Sequence, residues 1–168
     1  MDGEHSSPAA ERPAITVAVV IEREREPNPF EAWRFRIVDV VPNEDAFGSA
    51  SRVLRDDGEL QQTLHPGFRL ELYRDQAQGY FLNLSSGAPV WFVVWRVDDD
   101  DPSRAWPETV SVSYDEAGRW LDAQERVDNV PLGADVAAWL QAYTDATYRP
   151  EPKQRRRPQS FVTPGERR

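Results

Sequence analysis

The chain has 168 residues, no cysteine, a formal net charge of −9 and a mean hydropathy of −0.68. That length is enough for one domain with its own core. The lack of cysteine excludes disulfides, thiolate metal sites and a cysteine nucleophile, and the acidic balance argues against a duplex-binding domain, which phosphate would repel.

Charge is unevenly spread. Residues 149–168 carry seven basic side chains against Glu151 and Glu166, so the acidic excess lies in the body. No apolar run approaches the roughly 20 residues that span a bilayer. Residues 1–12 are polar, with no apolar region of the signal-peptide kind. The expectation is a soluble, cytoplasmic protein.

Residues 1–13 offer nothing to bury and are expected to be disordered. Ile15–Ile21 alternates Ile15, Val17, Val19 and Ile21 with Thr16, Ala18 and Val20, which predicts a strand covered on both faces. Glu22–Glu26 reads as a solvated charge run and Pro27-Asn28-Pro29 as a turn. Ala32–Val41 predicts a second strand, hairpinned to the first and ended by Pro42. Residues 43–62 are rich in turn formers around Val53-Leu54 and read as a loop with one short strand. Thr63–Gly67 reads as a turn.

Three strands are then expected: Phe68–Tyr73, Tyr80–Ser85 and the unbroken apolar run Val90–Trp95. The intervening Gly-containing stretches suit short hairpin loops, hence antiparallel neighbours. Asp98–Pro107 is an acidic loop, and Thr109–Ser113 a further strand. Ser113-Tyr114-Asp115-Glu116 has the form of a capping box and opens a helix. Gly118 within it suggests close packing against the sheet. Asp128–Gly133 reads as a turn. Val136, Trp139, Leu140, Tyr143 and Thr147 recur at the helical period and predict a second helix, stopped by Pro150. Residues 149–168 are expected to form a disordered Arg/Pro-rich tail. The fold class expected is α+β: an antiparallel, curved or barrel-like sheet meander, then two packed C-terminal helices, in a single domain over residues 14–148.

Chemistry-bearing motifs are sparse. Neither G-x-x-x-x-G-K-[ST] nor G-x-G-x-x-G occurs, so a glycine-rich phosphate cradle is not expected. No G-x-S-x-G elbow accompanies His65, which reads as a turn residue touching backbone. Asp98–Asp101 departs from the EF-hand pattern at the Gly and Glu positions and reads as a solvated loop. Catalytic and metal-ligating residues are therefore not assigned, and no cofactor is predicted.

Aromatic residues stand out, with six Trp, five Tyr and seven Phe. Trp91 and Trp95 share one strand face and Phe92 takes the other. The plain reading is core packing. The sharper one makes Trp33, Trp91, Trp95 or Trp106 an exposed anchor for a partner. Arg155, Arg156 and Arg157 in the tail either solubilise the chain or dock on an acidic protein surface or nucleic acid, the last disfavoured by the acidic body.

Several segments carry a family resemblance: Leu64-His65-Pro66-Gly67, Leu72-Tyr73-Arg74-Asp75, Gly79–Leu84, Pro89–Arg96, Val112–Ala117, Val127–Pro131 and Tyr148–Lys153. Over residues 15–157 they resemble DUF3305, a small proteobacterial family of unknown function. The resemblance implies gene neighbours that encode molybdenum formate dehydrogenases and their accessory factors. It therefore implies a non-enzymatic accessory or assembly role, with a formate dehydrogenase subunit or maturation factor as partner. The alternative it carries is a protein handling the molybdenum cofactor or its guanine nucleotide, related to molybdopterin-guanine dinucleotide synthesis. No site residue comes with the family.

Overall fold

Strand β1, Ala14–Arg25, is apolar on both faces because both are covered. Val17, Val19 and Ile21 point into the main core, while Ala18 and Val20 meet Leu64 and a lid of Val38, Val41 and Phe47 on the opposite face. The computed structural model describes residues 11–26, 30 and 32–150. The turn expected at Pro27–Pro29 and the tail residues Arg155, Arg156 and Arg157 lie outside the described residues.

The other elements are β2 (Trp33–Pro42), β3 (Arg52–Asp56), β4 (Leu60–Glu71), α1 (Ala77–Ser85), β5 (Val90–Val97), β6 (Ala105–Ser111), α2 (Tyr114–Asp122), β7 (Arg126–Pro131) and α3 (Ala134–Thr147). They build two antiparallel sheets, ordered β2-β1-β4-β3 and β6-β5-β7. The class is α+β. β4 runs beside β6 and β2 beside β7, so the sheets wrap one shared core like a split barrel. At the second junction the Ile37 amide, on the outer edge of β2, donates to Asp128 Oδ2 at 2.8 Å. Trp91 and Val93 from β5 fill the barrel against Val17, Val19, Leu70 and Leu72, and Tyr80 and Leu140 bring α1 and α3 against the same core.

Several elements differ from the sequence expectation. Tyr80–Ser85 lies in helix α1, not in a strand: Ala77, Tyr80 and Asn83 are buried at a spacing of three while Phe81 and Leu82 are exposed. Thr63–Gly67 lies inside β4. Val17 pairs with Phe68 and Val19 with His65, so Pro66 and Gly67 form a bulge opposite Ala18. A bulge tolerates the missing proline N–H, and Gly67 takes φ +89° there. Its amide donates to Asn43 Oδ1 at 2.9 Å. Asp128–Pro131 is strand β7, not a turn, so a strand separates the two C-terminal helices.

Ser113 caps α2 as expected, its Oγ accepting from Glu116 N at 3.3 Å. The return half of the box is replaced: the Ser113 amide donates to Ser111 Oγ at 3.0 Å. Gly118 does not pack closely, because a Cβ there would meet no heavy atom within 4 Å. Gly118→Ala is therefore expected to stabilise the protein by about 1 kcal/mol through helix propensity alone; chemical denaturation would show a raised midpoint with an unchanged slope.

The charge run is only partly solvated. Glu22 is 4% exposed and accepts from Arg36 Nε at 2.7 Å and Gln62 Nε2 at 2.9 Å. Burial pushes its carboxyl up, but those hydrogen bonds and the charges of Arg36 and Arg55 outweigh it and hold the pKa below the ordinary 4.5. A depressed carboxylate pKa contributes stability above the unfolded value, lost as pH falls through the folded one. Glu22→Gln is therefore expected to lower stability at pH 7 and to flatten its decline below about pH 4.5, read by unfolding at a series of pH values.

Candidate functional site

β1 continues its alternation beyond the apolar residues, so Arg23 follows Ile21 on the inner face. There the barrel opens at the end away from α1 and α3. Pairing sets Arg23 beside Phe35 and Gln61, Arg25 beside Trp33, and Trp95 beside Arg126. The loop between β5 and β6 closes over this end, and Arg23 Nη1 donates to the Ser103 carbonyl at 2.9 Å.

Guanidinium groups sit on the aromatic faces here. Arg23 lies 4.4 Å and Arg25 5.1 Å from the Trp33 ring centroid. Arg104 lies 5.2 Å over Trp106 and Arg126 5.5 Å over Trp95. Phe35 and Trp95 meet with ring centroids 6.0 Å apart. Such stacking holds each cation in place while its N–H edges stay available. Trp106 Nε1 donates to Glu108 at 3.2 Å, and Arg104 pairs with Asp98 at 3.2 Å.

Among the described residues, three buried side-chain polar atoms make no hydrogen bond: Arg23 Nε, His65 Nε2 and Trp95 Nε1. Arg23 and His65 line one cavity of about 360 Å³, with Phe35, Thr63, Asp101 and Arg104 also in its wall. Buried polar groups in proteins are almost always paired, so the two that fall on residues of one cavity wall, Arg23 and His65, single it out as the candidate site. His65 is thus an inward strand residue, not a turn residue. Burial lowers its pKa from 6.5 and keeps the ring neutral, able to donate or accept at Nε2. Asp101 accepts from the Ser103 amide at 3.0 Å and hydroxyl at 2.6 Å; these bonds hold its carboxyl below the ordinary value.

Two of the four candidate tryptophans, Trp33 and Trp95, lie on the inner side at this end, each half-buried under an arginine, while Trp106, half-buried under Arg104, pairs with Arg96 on the outer face of its sheet. Trp91 does not join them. It is 1% exposed, on the inner face of β5 where the two sheets meet, and so serves as core and not as a surface anchor. Sequence reasoning missed Arg23, Phe35, His65 and Arg126. The usable signal was the period-two row Val17, Val19, Ile21, Arg23, which carries the inward face into the charge run.

Larger clefts lie elsewhere among the described residues. One of about 740 Å³ lies between residues 11–13, the segment after β4 and α3, bordered by Arg12, Leu72, Tyr73 and Tyr143. One of about 650 Å³ runs between α2 and the β2–β7 junction, bordered by Phe92, Tyr114, Leu121 and Asp128. One of about 590 Å³ lies between β1, β2 and the start of α3, with Val17, Val40 and Val136 in its walls. None of these is bordered by Arg23, His65 or Trp95. No helix among the described residues is long and apolar enough to cross a membrane.

No curated protein and no solved structure matches the chain. A family model does, that of a protein of unknown function, DUF3305, over residues 16–157. With that match covering most of its length and both sheets, the chain belongs to the DUF3305 family.

Proposed function

We propose that the protein is a non-enzymatic accessory or assembly protein of molybdenum formate dehydrogenase, and that it holds its partner at the arginine- and tryptophan-ringed end of the barrel. The observation that supports a binding role is the placing of Trp33 and Trp95 under Arg23, Arg25 and Arg126 at one end of the barrel, with Trp106 under Arg104 on the outer face of β6 beside it. Trp and Arg are the residues that most often anchor protein interfaces. The enzyme named comes from the family resemblance.

The test is affinity capture from native lysate with four baits: the full chain, a chain ending at Tyr148, Trp33→Ala and Trp106→Ala. Formate dehydrogenase subunits or their maturation factors are expected with the first two. Losing an anchor tryptophan costs about 2 kcal/mol, or roughly 30-fold in affinity, so the tryptophan variants should recover little. Recovery by the full chain alone would move the site to the tail. Recovery by none would remove the proposal.

A second reading rests on the half-buried aromatic rings at this end, Trp33, Phe35 and Trp95, on which a planar ring system can stack. In it the protein carries the molybdenum cofactor or its guanine nucleotide. Saturable quenching of tryptophan fluorescence by GTP or molybdopterin is the expected sign.

A further inference from the structure

Arg23 is held on three sides but not on the fourth. Trp33 stacks against its guanidinium, Nη1 donates to Ser103, and its stem follows Ile21 along the inner face of β1. Its Nε is buried without a partner. In a guanidinium the Nε–H and the adjacent Nη2–H form the parallel fork that fits a carboxylate, while the bond to Ser103 uses the other arm. His65 lies on β4 in the same inward row as Gln61 and Thr63 and lines the same cavity, and its Nε2 is buried without a partner. Trp95 Nε1, the third orphan, is at the same end of the barrel.

The chemistry of these atoms restricts the ligand. Arg23 Nε can only donate, and neutral His65 donates from Nε2 in one of its two tautomers. A group that pairs with both is therefore an acceptor. Asp101 also lines the cavity, and the chain as a whole carries −9. A planar monoanion suits that setting better than a phosphate dianion, which would face the Asp101 carboxylate.

We propose that the cavity between β1, β2, β4 and the β5–β6 loop is a carboxylate-binding site, in which the Arg23 fork grips the ligand oxygens and His65 Nε2 donates to one of them. The proposal rests on and deepens the partner-binding role, since a protein partner carries a carboxylate at its chain end. A free small carboxylate offers the same chemistry.

The full-length ¹⁵N-labelled protein, titrated with sodium acetate against sodium chloride at equal ionic strength, tests this through the arginine Nε–H and indole N–H resonances. Acetate should shift the Arg23 Nε–H signal saturably, and chloride should not. Arg23→Lys keeps the charge but loses the fork, and His65→Gln keeps a donor of different reach. Acetate should bind at least tenfold more weakly to the lysine variant and severalfold more weakly to the glutamine variant. Arg69→Lys, on an exposed stretch of β4, should leave binding unchanged.

Acetyl-Gly-Gly as acid and as amide separates the sources. An acid that binds more than tenfold more tightly than acetate, with a silent amide, assigns the site to a partner's chain end. Equal binding of acid and acetate assigns it to a free small carboxylate. No saturable shift in the wild-type protein, an equal effect of chloride, tighter binding of inorganic phosphate, or undiminished binding by folded Arg23→Lys would each overturn the proposal. Acetate binding without capture of formate dehydrogenase leaves this site standing and removes that partner, and capture without acetate binding does the reverse.

Discussion

Gly79→Ala is expected to destabilise the protein by about 3 kcal/mol, although alanine is the better helix former by about 1 kcal/mol. Gly79 is buried in α1 where that helix crosses the start of α2. A Cβ placed on it would overlap Ser113 Oγ and press on the Asp115 amide. Ser113 cannot step aside cheaply. Its Oγ donates to Gln76 Oε1 at 2.6 Å and accepts from Glu116 N, and it is 1% exposed. Moving it gives up the α2 cap, worth about 1 kcal/mol, and strands buried polar atoms at about 1–3 kcal/mol each. These losses outweigh the propensity gain. A fall in Tm of roughly 6–12 °C is expected for a domain of this size, read by thermal unfolding beside Gly118→Ala. The two substitutions are chemically identical and should act in opposite directions. If both stabilise, the close crossing of α1 and α2 is wrong.

That pair also shows where sequence reading reaches its limit. Two helical glycines look alike as letters, and only the crossing of α1 over Ser113 distinguishes the one that needs its missing Cβ. Legibility followed burial pattern elsewhere too. β1 and β5 are apolar on both faces, and that pattern holds only for strands covered on both sides, so both were readable. The stripe of α3 at Val136, Trp139, Leu140 and Tyr143 was equally plain. Tyr80–Ser85 was not. Tyr80-Phe81-Leu82-Asn83-Leu84 satisfies period two as well as a helical spacing, and what decides is that Asn83 is needed inside. β7 was hidden because Asp128, Asn129 and Pro131 are turn formers by composition. They are held in a strand by pairing with β5 and by the Asp128 bond to the Ile37 amide.

The site was legible as a set of residue types but not as a place. Tryptophan abundance pointed to Trp33, Trp95 and Trp106; the last two share the β5–β6 hairpin, but Trp33 is far from both in the chain. Its approach to Trp95 depends on the closing of two sheets, which no local pattern encodes. The same abundance pointed to Trp91, which only the inward direction of β5 assigns to the core. Arg23 was hidden by its neighbours, since a run of alternating Glu and Arg reads as solvated on both faces. The strand continues through that run and turns Glu22 and Arg23 to opposite sides. Glu22 meets Arg36 and Gln62 on one, and Arg23 meets Trp33 and Ser103 on the other.

Asn83→Leu is expected to cost about 3–5 kcal/mol, the larger of the two effects, because one amide serves three backbone groups. Asn83 is 2% exposed. Its Nδ2 donates to the carbonyls of Val90 and Val112, both at 2.9 Å, and its Oδ1 accepts from the Val90 amide at 3.0 Å. These bonds tie α1 to the start of β5 and to the segment just beyond β6. The residue opposite Val90 in the ladder is Pro131, which has no N–H to offer. Leucine fills similar space but leaves a donor and two acceptors without their partner in the interior. Asn83→Asp separates packing from hydrogen bonding, since it keeps the shape and the Oδ1 acceptor but sets an oxygen against two carbonyls. When ionised, that carboxyl is buried and repelled, so its folded pKa must rise above the ordinary value of about 3.9. A raised carboxyl pKa makes the penalty grow as pH climbs through the unfolded value. Asn83→Asp should therefore be nearer wild-type stability at pH 4 than at pH 7, whereas the Asn83→Leu deficit should scarcely change. Unfolding free energies at those two pH values are the measurement. Equal penalties for Asn83→Asp at both would mean that its carboxyl is solvated, and that α1 does not seal β5 and β6 as the structure has it.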